Sequence, residues 1–390
     1  MPSPLRSSSK MTEATNVKIH PVSHDLPKAE MHTHISLALS PSDFRDRVEQ
    51  GRTDLGFGFI QERNARYYPD LFHFHSTYER MRNLTRNGEE LAHVTQTYLE
   101  TIADQGAIYA EVSNSFREGA DFDAQMEAVA EGIKHAQERT GIEARIVVTT
   151  LRDRGYEFAE LAAKTLAKKS FNKVAAFGLV GDELCDSLAD YKQALDIAFH
   201  EAGLGLAPHV AEQDVRNAID FLDIVPKDIV EATEDDHRRL RVGHGSLIHV
   251  SSELLQAYAE RKICLEVCLS ANNRIGLPHD TRELEIGQKV ANQNGASVTA
   301  DNKLQDYFNS LADHPLPIFE ERGIPVVLGS DNPLLLNTNI AKEYSLAVAK
   351  AGYAGDPLEF TKTAVEYANV DWETRESLRR QIAKYEMLRH

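Results

Sequence analysis

KAEMHTHISLALS, residues 28–40, places His32 and His34 two positions apart at the end of an apolar run. Successive side chains of a strand point to opposite faces, so residues two apart share one. Read as a strand over 28–35, the segment projects both imidazoles to one side at its C-terminal end. It then enters an apolar loop, an unusual continuation for a strand that ends in solvent.

Seven more β-rich runs follow: AIYAEVSNS (107–115), ARIVVTT (144–150), VAAFGLVG (174–181), LGLAPHVA (204–211), LRVGHG (240–245), ICLEVCLS (263–270) and IPVVLGSD (324–331). Most are separated by segments of helical period, such as GEELAHVTQTYLETIADQG (88–106) and DYKQALDIAFHEAG (190–203). A glycine often closes the helix before the next strand, as a C-cap does. Repeated strand-then-helix units imply right-handed parallel crossovers. Eight of them predict an α/β protein whose sheet closes into a (β/α)8 TIM barrel, a fold that accommodates long chains as one domain.

The predicted organisation is a polar, Ser/Pro-rich disordered tail over 1–25, a barrel over 26–345 and helices over 346–390 packed against its outside. Two connections are long, 213–240 and 272–323. The second holds an insertion at about 273–312, suited to a lid or an oligomer contact.

With 43 basic against 60 acidic residues the formal net charge is -17, which argues against a nucleic-acid partner. Three cysteines, Cys185, Cys264 and Cys268, are an odd number beside apolar runs and do not suggest a disulfide framework. A reducing, cytoplasmic location is expected. No run of about 18 apolar residues is present, so no membrane span is expected. Self-association into a homo-oligomer stays open.

Polar residues gather at the predicted strand ends. HVAE ends the fifth strand with His209 and Glu212, GHG ends the sixth with His244, and SDN ends the eighth with Ser330, Asp331 and Asn332. Barrel enzymes draw their catalytic residues from the C-terminal ends of several strands. Any one of these side chains alone reads as a satisfied loop polar group. Four clusters at four strand ends are hard to read as packing. His32, His34, His209 and Asp331 make a set of three nitrogens and one oxygen suited to one Zn²⁺. A catalytic zinc keeps a position for water and lowers its pKa to about 7. Glu212, three residues beyond His209, suits a general acid–base role, and His244 suits holding or deprotonating the water.

These residues also carry a family resemblance. LPKAEMHTHIS (26–36), YAEVSNS (109–115), FGLVGDE (177–183), HVAE, RVGHG (241–245), EVCLSAN (266–272) and HPLPIFEERGIPVVLGSDNP (314–333) occur in order. Together they resemble the motifs of the adenosine deaminase family of zinc amidohydrolases, from about residue 26 to 350. The resemblance implies the metal-dependent-hydrolase type of barrel and zinc ligands at His32, His34, His209 and Asp331. It implies that Glu212 protonates purine N1, His244 orients and activates the water, and the backbone N–H of Gly181 meets purine N3. Catalysis would thus rest on Glu212, His244 and Asp331, and substrate contacts on His34, Ser36, Gly181 and Asn332. The implied reaction is hydrolytic deamination of a small 6-aminopurine compound at C6, with release of ammonia.

The chain also departs from the family pattern. Asn332 stands where a second aspartate is usual, which removes a negative charge near the water. Ser36 and Leu37 replace an acidic residue and a glycine, which weakens the case for plain adenosine and favours a free base, a 5′-phosphate or a 5′-apolar group. Arg274 and Lys303 are candidate phosphate partners. Gly178 replaces an aspartate and Leu269 a proline. LFHFHSTYERM (71–81) is expected to form a helix over the mouth, with Phe72, Phe74 and His75 available to a pocket. Two other readings follow: removal of an N6 substituent from a substituted purine, and a zinc-holding, non-catalytic ligand-binding protein.

Overall fold

The computed structural model describes residues 22–56, 58–59, 68, 71–81, 83–225, 238–275 and 311–389. Most of the predicted insertion, including Lys303, lies outside them, as do most of the N-terminal tail and 226–237 of the other long connection.

Nine strand segments occur among the described residues: β1 (Lys28–His34), β2 (Ala107–Ser115), β3 (Glu143–Leu151), β4 (Val174–Val180), β5 (Gly205–Leu206), β6 (His209–Val210), β7 (Arg241–His244), β8 (Cys264–Val267) and β9 (Val326–Leu328). All neighbours run parallel, in the orders β1 to β5 and β6 to β9. β5 and β6 are two halves of one strand, interrupted at Pro208, which has no N–H to give to a ladder. Isolated bridges pair Leu206 with Leu240 and Thr33 with Asp331, and so join the two sheets at both seams. At the second seam the His34 N–H donates to Asp331 O at 2.8 Å and the Asp331 N–H to His32 O at 2.7 Å. The ring that closes is a (β/α)8 barrel, and one of its closing seams is built from candidate site residues.

Helices α1 (Leu71–Met81), α2 (Gly88–Ala103), α3 (Arg216–Ile224), α4 (Leu269–Arg274), α5 (Leu358–Tyr367) and α6 (Trp372–Arg389) are the ones that matter below. α2 buries Leu91, Val94, Thr95, Tyr98, Leu99 and Ile102, one face at helical spacing. Its first turn is capped by Asn87, whose side chain accepts the Glu90 N–H at 2.9 Å. α5 packs against β1 and β9, and α6 against α5.

The later strands are shorter than their apolar runs. The run 263–270 yields a strand only to Val267, and Leu269 already begins α4. Leu269 and Ala271 remain buried in that helix, so the run stays apolar although its backbone leaves the sheet. Cys264 and Cys268 are buried, Cys185 is exposed, and all three are free.

Candidate active site

The C-terminal ends of the strands bring His32 and His34 (β1), His209 (β6), His244 (β7) and Asp331 (after β9) together. Ring centroids lie 5.5 Å apart for His32 and His34, 4.8 Å for His32 and His209, and 4.7 Å for His209 and His244. One ring nitrogen from each of His32, His34 and His209 falls within 4.8 Å of the others. His34 Nε2 is 3.1 Å from Asp331 Oδ1.

The backbone is bent to achieve this. Ala211, His244 and Asp331 have φ of 56°, 61° and 56°, left-handed values that cost non-glycine residues energy and persist where the surroundings enforce them. Gly243 has no room for a side chain, since a Cβ there would lie 2.8 Å from His32 Cε1 and 2.9 Å from His209 Cδ2. At Gly178 a Cβ would meet Ala207 O at 2.4 Å, so the aspartate of the family pattern does not fit this approach of β4 to β5.

Whether these residues suit a metal ion can be tested on His32. Its Nδ1 lies 2.7 Å from Glu266 Oε2, and an ionised carboxylate can only accept. The proton of the neutral ring therefore sits on Nδ1, which leaves the lone pair on Nε2. That Nε2 is buried and has no hydrogen-bond partner. An orphaned imidazole nitrogen among two more histidines and a carboxylate matches the chemistry of a zinc site, down to the carboxylate behind the ligand.

Glu266 is itself held. Arg241 Nε donates to its Oε1 at 2.7 Å, and Arg241 Nη2 donates to Glu111 Oε2 at 2.5 Å. Glu111 Oε1 also accepts the Tyr109 hydroxyl at 2.7 Å and the Asn369 N–H at 2.9 Å. Burial pushes the Glu266 carboxyl up, but Arg241 and then His32 outweigh it and hold the group below the ordinary glutamate value. Burial likewise opposes protonation of His32, and Glu266 outweighs it, raising the ring's pKa.

Glu212 sits on the loop beyond β6. Burial, reinforced by Asp331, Glu183 and Asp182, drives its carboxyl well above the ordinary range. Its Oε2 is 3.5 Å from His244 Nε2 and 3.7 Å from His209 Nδ1. The loop is pinned by Glu183, whose carboxylate accepts the backbone N–H groups of Glu212, Gln213 and Asp214 at 3.3, 3.2 and 3.0 Å. Arg152 supports the same loop, donating to His209 O at 2.8 Å and to Asn217 Oδ1 at 3.3 Å. Burial, with His32 next, lowers the pKa of His244 to about 3, so its ring is neutral near pH 7.

A cavity of about 220 Å³ opens onto these groups. His34, His209, Glu212, His244, Asp331, Asn332 and Gly181 of the expected set line it. His32 lies behind the wall, and Ser36 is turned away, its hydroxyl 3.0 Å from that of Tyr78. Tyr78, on α1, faces the cavity instead, together with Phe74 and His75, while Phe72 is 77% exposed. Asn332 Nδ2 donates to Asp331 Oδ1 at 2.7 Å, which leaves its buried Oδ1 unpaired. At the outer end stand Glu79, Asp153 and Asp182, and no lysine or arginine is among the described lining residues. Arg154, next to Asp153, turns its guanidinium onto the Phe158 ring at 4.3 Å.

Asp153 lies in no motif, and Tyr78 and Asp182 fall inside LFHFHSTYERM and FGLVGDE with nothing in the pattern to single them out. Glu183 is visible only as the last residue of FGLVGDE, with nothing in the spacing to say that it caps the Glu212 loop. Among the described residues no helix is long and apolar enough to cross a membrane.

Comparison with known proteins identifies the family. The adenosine deaminase family profile matches residues 27–310 and 303–385. An adenine deaminase of Chelativorans sp. (strain BNC1) is 33% identical over 358 residues, covering 90% of this chain and 97% of the relative. An adenine deaminase of Rhizobium leguminosarum bv. trifolii is 31% identical, covering 90% and 98%. Among solved structures, an adenine deaminase from Arthrobacter aurescens superposes with a TM-score of 0.71 at 20% identity, over 92% of this chain and 98% of that one. The apo N6-methyl-AMP deaminase from Arabidopsis thaliana gives 0.68 at 19% identity, over 93% and 97%. A zinc-bound amidohydrolase from Burkholderia ambifaria gives 0.71 at 21% identity, over 94% and 92%. The solved structures share the barrel, and the profile and the curated relatives span nearly the whole chain, so this protein belongs to the adenosine deaminase family and is a hydrolase of C–N bonds.

Proposed function

We propose that this enzyme hydrolytically deaminates a 6-aminopurine at a single Zn²⁺ site, and that adenine is its best substrate. One observation carries the reading: His34, His209 and Asp331 line the same cavity as Glu212 and His244, and a ring nitrogen of His32 lies within 4.8 Å of those of His34 and His209. The three histidines and Asp331 would hold the ion. When bound, zinc supplies Lewis acidity and lowers the pKa of a water at the site to about 7.

The chain's own groups then divide the work. Glu212, with its raised pKa, holds a proton for a ring nitrogen of the purine and can take one from water. His244 faces the reacting oxygen, and Gly181 lies on the wall with its backbone available to the ring edge. The net change balances: water supplies the oxygen that replaces N6, its two protons pass to the ring and the leaving amine, and ammonia departs.

The cavity's polarity supports a phosphate-free substrate. Asp153 and Asp182 on its lining repel a phosphate dianion, and the described lining offers no lysine or arginine to bind one. The unpaired Asn332 Oδ1 accepts hydrogen bonds, and only a free purine base has a ring N–H to give it. The name shared by the curated relatives, adenine deaminase, supports the same choice.

The test is product release by zinc-loaded protein from adenine, adenosine, AMP and their N6-methyl forms, with ammonia, methylamine and purine products all scored. Turnover of adenine above the others is expected. Methylamine release alone would move the reading to N6-substituted purines, and zinc binding with silence on every compound would make the protein a binder.

A further inference from the structure

His244 Nε2 is buried, has no hydrogen-bond partner and faces the cavity, so the proton it carries or lacks decides what it can do. A chain of three hydrogen bonds behind the ring answers that. The Leu316 N–H donates to His314 Nδ1 at 3.1 Å. An amide N–H can only donate, so Nδ1 is the acceptor and the proton of the neutral ring sits on His314 Nε2. Burial lowers the pKa of His314 to about 3, which keeps the ring in that neutral form.

His314 Nε2 lies 3.3 Å from Asn272 Oδ1 and donates to it. That contact fixes the orientation of the Asn272 amide, because a flipped amide would set two donors against each other. Asn272 Nδ2 then points at His244 Nδ1, 3.5 Å away. His244 Nδ1 is thereby the acceptor, and the ring's proton goes to Nε2. All three side chains are buried, so no bulk water competes with the chain of bonds.

We propose that His314 and Asn272 are positioning residues that hold His244 in its Nε2–H tautomer, making it a hydrogen-bond donor toward the reacting oxygen rather than a base. The proton that water must lose then passes to Glu212, whose Oε2 lies 3.5 Å from the same nitrogen. His244 would stabilise negative charge on the oxygen as it attacks C6, and Glu212 alone would shuttle protons. This assignment deepens the deaminase reading and rests on it for its catalytic meaning, but the tautomer itself is a property of the protein.

The tautomer is read directly from the ring nitrogens of ¹⁵N-histidine-labelled, zinc-loaded protein, with the His244 signals identified by their loss in His244→Gln. Wild type should show protonated Nε2 and bare Nδ1. Asn272→Asp replaces the donor by a carboxylate, which accepts, so the tautomer should reverse. Its kcat on adenine should fall at least about tenfold, with KM within about threefold and zinc content retained, as expected when only a transition-state contact is lost. His314→Gln supplies the rescue: its amide can take the Leu316 N–H and donate to Asn272, so the wild-type tautomer and most of kcat should survive. His314→Leu should lose both. A His244 ring protonated on Nδ1 in wild type, or an unchanged tautomer in Asn272→Asp, would overturn the proposal. If Asn272→Asp does not fold, the His314 pair decides: equal tautomers and rates in Gln and Leu overturn it. The spectra need no turnover, so an Nε2–H ring with no deamination of any purine would sink the deaminase reading and leave the relay standing.

Discussion

Glu266→Gln removes one charge from behind the proposed metal site while conserving shape. In the wild type its two carboxylate oxygens each take one charge-assisted bond at 2.7 Å, one from His32 Nδ1 and one from Arg241 Nε. Glutamine has one acceptor oxygen and one donor NH2, so it can satisfy His32 or Arg241 but not both. If the oxygen stays with Arg241, the NH2 faces His32 Nδ1, favours the other tautomer, and takes the lone pair away from Nε2. If it stays with His32, buried Arg241 loses one of its two carboxylates. Loss of one charge-assisted bond costs about 1.5–3 kcal/mol, and breaking a buried pair about 3–5. Glu111 still compensates Arg241, so we expect a loss of about 3 kcal/mol in the metal-free protein, measured by urea unfolding. Zinc affinity should fall roughly 10–100-fold, about 1.4–2.8 kcal/mol, measured by competition with a chelator of known affinity. Zinc affinity within threefold of wild type, in protein that has lost stability as expected, would refute the claim that Glu266 sets the tautomer of His32.

Other changes probe the neighbouring parts. Glu212→Gln should lower turnover by at least about 10²-fold while zinc content, read by atomic emission, stays at one per chain; loss of zinc would make Glu212 a ligand. Gly243→Ala drives a methyl into His32 and His209 and should lower zinc affinity by more than about tenfold; retained affinity would show that both rings can shift. Chelation should abolish deamination, and added Zn²⁺ should restore it; activity in fully metal-free protein would sink the metal assignment. Burial raises the carboxyl of Glu343, outweighing its bonds to Ser270 and Thr338, so the fold binds a proton there that the unfolded chain releases. Its contribution to stability should therefore decline as pH rises from about 4.5 through the raised value, and Glu343→Gln should flatten that slope in urea titrations.

The barrel and the convergence of His32, His34, His209 and Asp331 were legible because both follow from strand periodicity. Strands announce themselves as β-branched runs, and a side chain two residues from His32 must share its face. The strand bounds were less so. Pro208 divides the fifth strand without interrupting the apolar run, and Leu269 begins a helix while staying buried. Residues that act through backbone atoms left no trace in the pattern: Glu183 contributes by accepting three N–H groups of a loop about thirty positions away. Ser36 illustrates the converse. Its place in the motif suggested a substrate contact, but α1 brings Tyr78 between that hydroxyl and the cavity. Such a contact depends on the packing of a helix some forty residues on, which the local pattern around residue 36 does not encode.

The chain of contacts behind His32 continues past Glu111 to residues that close the far end of the barrel. Arg241 Nη1 donates to Tyr367 O at 2.7 Å, and Asn369 donates its N–H to Glu111. Tyr367 is the last residue of α5, and Asn369 lies between α5 and α6. The proposed metal ligands at the mouth are thus anchored through the barrel's axis to its floor. Grafting the mouth loops and their histidines onto another barrel would transfer the ligands but leave out the charge ladder that orients them. The portable unit of this site is a column through the fold: the histidines, the glutamate–arginine–glutamate ladder, and the C-terminal segment that seals it.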